Sequence, residues 1–216
     1  MMEFISGAVP FIMHIDAHLS TLAQDYGAWT YGILFFIIFA ETGLVVTPFL
    51  PGDSLLFALG ALAASGALSH ETLFFTLAVA ATLGNITNYA LGGIIGPRVF
   101  KWRWVPFLKE EYLERTKLFY EMHGAKAVIL ARFMPLFRTF VPFVAGIGAM
   151  NYPRFLIYSI VGCLAWIGSL LYGGYFFGNI PAVKNNFGLV VIGIIVVSFI
   201  PAVVEFFRNR RLSPRK

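Results

Sequence analysis

Four ionisable side chains interrupt otherwise apolar stretches of this chain: Glu41, Asp53, Arg132 and Arg138. In hydrocarbon each costs about 2.5–3.5 kcal/mol on insertion scales. Their charges sum to zero, so mutual pairing is the obvious solution. Two readings follow. Buried pairs could staple the segments together, yet such pairs are poor stabilisers because desolvation can outweigh attraction. The stronger reading is a site, because ionisable groups within a membrane mark substrate and proton paths. Arg132 and Arg138 offer forked donors that match a phosphate. Asp53 opens a half-helix whose positive N-terminus can receive an anion, and it can also cap that helix. Glu41, in an apolar setting, is a carboxylate able to carry a proton.

Other polar residues could line the same cavity. Thr82, Asn85 and Tyr89 share one helical face and Asn88 lies beside it; Ser54 and Thr139 adjoin the charges. Interhelical hydrogen bonding is an equally good role for them. No spacing of His, Cys, Asp and Glu suits a metal, no nucleophile stands with a base, and no phosphate-cradling loop is present. The expectation is therefore a protein that is not an enzyme and carries no cofactor. The single cysteine, Cys163, lies in an apolar stretch and reads as packing.

The elements that must position these residues are apolar helices. Of 216 residues, 58% are hydrophobic and only 12% charged, against about 25% charged in soluble proteins. The net charge is +5, but the basic tail 208–216 flanks an apolar span, where it serves orientation rather than nucleic-acid binding. The first residues lack the basic region of a cleavable signal peptide. Residues 1–27, with Ile12, Ile15, Leu19 and Leu22 at helical spacing, predict an interfacial amphipathic helix. Residues 28–64 are apolar but broken by Pro48, Pro51 and Gly52. Residues 125–149 are broken by Pro135 and Pro142. The pieces on either side are shorter than the roughly 20 residues a crossing needs, so each segment predicts a re-entrant hairpin. Full spans are expected near 72–95, 155–178 and 187–207, and 98–123 is a charged connector.

The halves 28–97 and 124–180 resemble each other. Tyr26-Gly27-Ala28 opens one and His123-Gly124-Ala125 the other; aligned there, Glu41 falls opposite Arg138. Each half carries two prolines and then a span ending in Tyr and glycines. The basic tail places the C-terminus in the cytoplasm, and the first 97 residues contain no Lys or Arg. Counting spans back from the tail makes the two hairpins enter from opposite faces. The expected fold is a single all-α polytopic membrane domain, an inverted repeat with about three full spans, as transporters use around a midplane site.

The stretches Phe39-Ala40-Glu41-Thr42-Gly43-Leu44, Thr47-Pro48-Phe49-Leu50-Pro51-Gly52-Asp53-Ser54, Ala131-Arg132-Phe133-Met134-Pro135-Leu136-Phe137-Arg138-Thr139 and Pro142-Phe143-Val144-Ala145-Gly146 resemble the signature of the DedA family. The likeness runs over nearly the whole chain. It implies a bacterial inner-membrane protein with two facing re-entrant helices, in which Glu41, Asp53, Arg132 and Arg138 are the functional charges. It implies transport: recycling of undecaprenyl phosphate, with protons as a possible coupling ion. Alternatives are a general phospholipid scramblase acting on headgroups, or a protein that maintains the proton motive force and envelope integrity. This chain departs from the family pattern in having Gly84-Asn85 and Gly92-Gly93, where many members carry Gly-Asp and Gly-Arg. That departure bears on proton coupling.

Overall fold

The computed structural model describes residues 15–44, 52–95, 121–148, 150–184 and, between 186 and 200, residues 186, 188–190, 192–194, 196, 197 and 200. Among the described residues every regular element is helical. They are α1 (Ile15–Tyr26), α2 (Trp29–Gly43), α3 (Gly52–Ala64), α4 (His70–Ile95), a broken segment of short turns over Gly124–Lys126, α5 (Ala127–Leu130) and Ala131–Phe133, then α6 (Pro135–Ile147), α7 (Tyr152–Phe177) and α8 (Pro181–Lys184).

Local chemistry sets the boundaries. Gly27 has φ 51°, a left-handed conformation that a Cβ penalises. It ends α1 and lets α2 fold back, where Thr30 Oγ1 donates to the Leu22 carbonyl at 3.1 Å. Met134 is extended (φ −125°, ψ 101°) and Pro135 starts α6. Proline disfavours the helical conformation for the residue before it and is well suited to a helix's first position. The hairpin break expected at Pro135 therefore falls at Met134. The break expected at Pro142 does not occur: Pro142 lies inside α6. A proline there lacks the N–H that would reach back four residues, so the Arg138 carbonyl loses its helical donor while the helix continues. Pro48 and Pro51 lie outside the described residues, as do most of the connector 98–123 and the basic tail. α7 is capped by Asn151, whose side chain accepts from the Arg154 backbone N–H at 3.3 Å.

Helices α4 and α7 have 26 residues each and are apolar enough to cross a membrane; at 1.5 Å per residue each is about 39 Å long. They match the spans expected near 72–95 and 155–178, the second ending one residue earlier at Phe177. Of the third, 187–207, the described residues are helical and the rest lie outside them. The remaining apolar helices are shorter: α2 has 15 residues, and α3 and α6 have 13 each. A crossing needs about 20.

The two halves exchange arms. α2 packs on α4, the span of its own half, whereas α3 packs on α7; reciprocally, α6 packs on α4 and the broken segment packs on α7. Both exchanged crossings bring backbone onto backbone. A Cβ at Gly60 would overlap the Leu171 carbonyl, and one at Gly174 the Phe57 carbonyl. A Cβ at Gly146 would overlap the Tyr89 carbonyl, and one at Gly92 the Phe143 carbonyl. Phe57 and Gly60 therefore correspond to Phe143 and Gly146, and Leu171 and Gly174 to Tyr89 and Gly92. Small residues that allow such approach are how apolar helices associate without a hydrophobic driving force.

This packing places Gly52 opposite Arg138 and Asp53 opposite Thr139. It differs from the register drawn through the opening glycines, which set Glu41 opposite Arg138. Gly27 and Gly124 do match in conformation, with φ 51° and 57°. The first arm of the second half is shorter and broken, so one register cannot serve both arms. Side chains from α3, α4 and α7 fill the larger core, among them Leu56, Leu59, Leu73, Leu77, Ile167 and Leu171, all fully buried.

Candidate functional site

The arms and spans converge on a buried charged centre. Glu41 is at the C-terminal end of α2, Asp53 in the first turn of α3, Arg138 in the first turn of α6, and Arg132 in the turn just before the Met134 break. Glu41, Arg132 and Arg138 are 1–2% exposed and Asp53 7%. Arg138 is fully engaged at its tip: Nη1 donates to Asp53 Oδ1 at 2.6 Å, and Nη2 donates to Glu41 Oε1. One guanidinium thus ties the end of α2 to the start of α3 across the stretch that joins them. Charge-assisted bonds of this kind are about twice as strong as neutral ones.

Gly52 makes the geometry possible. Its backbone lies so close to the Glu41 carboxylate that a Cβ would overlap both oxygens. The break residue Gly52 therefore also seats Glu41.

Arg132 is placed differently. Its stem lies against Gly162 of α7, where a Cβ would come within 3.2 Å of Arg132 Cγ. Among the described residues, neither Nη1 nor Nη2 has a hydrogen-bond partner, although both are buried. Other polar atoms are in the same condition: Glu41 Oε2, Asn85 Oδ1, Asn88 Oδ1, Thr139 Oγ1 and Arg138 Nε. Buried polar groups left unpaired cost about 1–3 kcal/mol each, and charged ones more. Such a concentration of unmet donors and acceptors is suited to receive a polar group.

Trp166, from the middle of α7, completes the centre. Its indole N–H donates to Asp53 Oδ1 at 2.9 Å. The guanidinium carbon of Arg138 lies 5.1 Å from the ring centroid and that of Arg132 5.8 Å, both within cation–π range. Trp166 was not among the residues singled out from sequence. The available signal is its position: a tryptophan far from either end of an apolar span has a buried N–H that needs an acceptor.

The expected cavity-lining residues divide. Asn88 Nδ2 donates to the carbonyls of Thr42 (3.1 Å) and Thr139 (2.8 Å), joining α2 and α6 through α4. Asn85 Nδ2 donates to Ser159 Oγ at 2.6 Å and approaches Cys163 Sγ at 3.6 Å, so Cys163 touches a polar neighbour within its packing role. Ser54 is fully buried beside Asp53, and Thr139 beside Arg138. Tyr89 instead donates its hydroxyl to the Met150 carbonyl and stacks on Phe155 at 4.4 Å, a packing role at the end of α6. Thr82 is half-buried and makes none of the bonds that join the charges. Among the described residues no group of His, Cys, Asp and Glu could hold a metal ion.

Apolar helices of spanning length around a charged centre define an integral membrane protein whose polar chemistry is buried between its helices. Comparison with known proteins places it further. The VTT domain matches residues 50–176, which include three of the four charges. The chain is 48% identical over 216 residues to Protein DedA of Escherichia coli, with 99% of both chains covered. It is 42% identical over 179 residues to an uncharacterized membrane protein of Mycobacterium leprae, covering 83% of this chain and 80% of that one. To the inner membrane protein YqjA of Escherichia coli it is 36% identical over 151 residues, covering 70% and 69%. No solved structure matches. The chain belongs to the DedA family of VTT-domain membrane proteins.

Proposed function

We propose that this protein moves a lipid-linked phosphate across a bacterial inner membrane, with undecaprenyl phosphate returning to the cytoplasmic face as the reading of first choice. The observation that carries the proposal is Arg132: a buried guanidinium whose two terminal nitrogens have no partner among the described residues. A phosphate offers two oxygens at the spacing of that fork. In this reading α2 with α3, and the broken segment with α6, are re-entrant hairpins entering from opposite faces, and the C-terminus is cytoplasmic. The short lengths of these helices and their exchanged packing support that arrangement. Backbone that is not helical at membrane depth is tolerated where protein or a polar cavity surrounds it.

Proton coupling enters through Glu41 and Asp53, both tied to Arg138. A proton on either carboxylate would release one arm of the Arg138 fork, making a second cation available to the headgroup. The test is transport in proteoliposomes of defined lipids: a polyprenyl phosphate, a zwitterionic phospholipid and the corresponding polyprenol, each with and without a pH gradient. Transport of the phosphate and not of the alcohol, accelerated by the gradient, is expected. Equal movement of all phospholipids without a gradient would establish a general scramblase instead.

A further inference from the structure

A buried guanidinium normally captures the nearest carboxylate. Among the described residues two carboxylates lie in this centre, yet both are committed to Arg138, and neither terminal nitrogen of Arg132 has a hydrogen-bond partner. Something must prevent the pairing from being shared. Trp166 meets three of the four charged groups in that choice, Asp53, Arg132 and Arg138. Its N–H holds Asp53 Oδ1 at 2.9 Å, on the same oxygen that accepts from Arg138 Nη1. Its ring offers Arg132 an electrostatic surface at 5.8 Å. A cation–π contact stabilises the guanidinium through its plane and leaves the N–H groups, which lie in the plane, free to donate. The indole has no counterpart in the other half: the correspondence of Tyr89 and Gly92 with Leu171 and Gly174 puts Gly84 at the matching place, where a Cβ would overlap Thr42 Oγ1. The indole thus adds an asymmetry between the halves at the centre itself.

We propose that Trp166 is a positioning residue that reserves Arg132 for a phosphate, by pinning Asp53 to Arg138 and by offering Arg132 a ring face in place of a carboxylate. This rests on the proposed binding of a lipid-linked phosphate and divides the labour within it. Arg132 receives the anion, Arg138 latches the two carboxylates, and Trp166 keeps the two ion systems apart.

The test is a binding cycle on the purified full chain in detergent micelles, using farnesyl phosphate, inorganic phosphate and farnesol as probes. Trp166→Phe keeps a ring and removes the N–H. Asp53, released, then competes for Arg132, and phosphate affinity should fall about tenfold or more, as close charge pairs couple by that much. In an Asp53→Asn background no carboxylate remains at that position to compete, so Trp166→Phe should change affinity little. Equal losses in both backgrounds, or no loss in either, would overturn the assignment. A second readout does not depend on that variant folding. With Trp29, Trp102 and Trp104 replaced by Phe, Trp166 is the only tryptophan left of four, and its emission should change when farnesyl phosphate or inorganic phosphate is added. A response to farnesyl phosphate alone would assign the anion to a lipid headgroup, and a response to both to phosphate as such; an equal response to farnesol would overturn the assignment. Failure of wild-type protein to bind any phosphate would overturn the parent proposal and this one together, whereas wild-type binding without the Trp166 effect would overturn this one alone.

Discussion

Replacing each arginine by alanine should have unequal consequences for stability. Arg138 makes two charge-assisted bonds to two buried carboxylates. Removing it leaves Glu41 and Asp53 without the cation that hydrogen-bonds both. Breaking a buried pair by deleting one partner costs about 3–5 kcal/mol. For a chain of this size, each kcal/mol lowers the melting temperature by about 2–4 °C, so Arg138→Ala should fall by about 6–20 °C. Arg132 has no such partner at either terminal nitrogen among the described residues. Its removal breaks no hydrogen bond at either terminal nitrogen and leaves the contacts of Arg138 in place; what is lost is its stem packing against Gly162, its contact with Trp166 and a longer-range attraction to Glu41. Arg132→Ala should therefore melt within a few degrees of wild type and accumulate normally, while losing phosphate binding. The assay is thermal unfolding of the purified variants in one detergent, with membrane abundance measured alongside. If Arg132→Ala is destabilised as much as Arg138→Ala, the division between latch and receptor is wrong and both arginines are structural.

Three further outcomes follow from particular contacts. Gly52→Ala places a methyl on the Glu41 carboxylate and should cost about 1–3 kcal/mol as overpacking does. It should also loosen the Glu41–Arg138 bond, whereas Gly32→Ala, inside α2 where a Cβ meets nothing within 4 Å, should not lower the melting temperature in the same assay. Gly146→Val pushes α6 off the Tyr89 carbonyl, and a wild-type melting temperature would contradict the exchanged packing of the arms. For the opposed topology, cysteines at positions 66 and 151 should be labelled from opposite sides of the membrane by an impermeant thiol reagent; labelling from one side would refute the inverted repeat.

The two long spans were legible in the sequence because α4 and α7 are continuous apolar runs without proline interruption in their interior. The Met134 break was legible through Pro135, because proline constrains the residue before it whatever the surroundings. Pro142 misled: a proline within a helix removes one hydrogen bond, and packing on α4 holds the helix together around that loss. The four charges were legible as a group from the cost of burying any one alone. Their pairing was not. Which carboxylates Arg138 takes depends on the distance between α2 and α3 at Gly52, and on an indole that reaches the centre from α7. Tryptophan in an apolar span reads first as packing, and only the fold shows that Trp166 Nε1 meets Asp53. Tyr89 was misjudged for the converse reason. It shares a face with Asn85 and Asn88, but its long side chain carries the hydroxyl to Met150, beyond the charged centre.

The central claim, that Arg132 takes the phosphate of a lipid substrate, is tested most directly by polyprenyl phosphate transport in proteoliposomes containing wild type or Arg132→Lys. Lysine keeps the charge and removes the fork. Normal abundance and reconstitution with strongly reduced transport are expected. Wild-type rates for Arg132→Lys would contradict the claim.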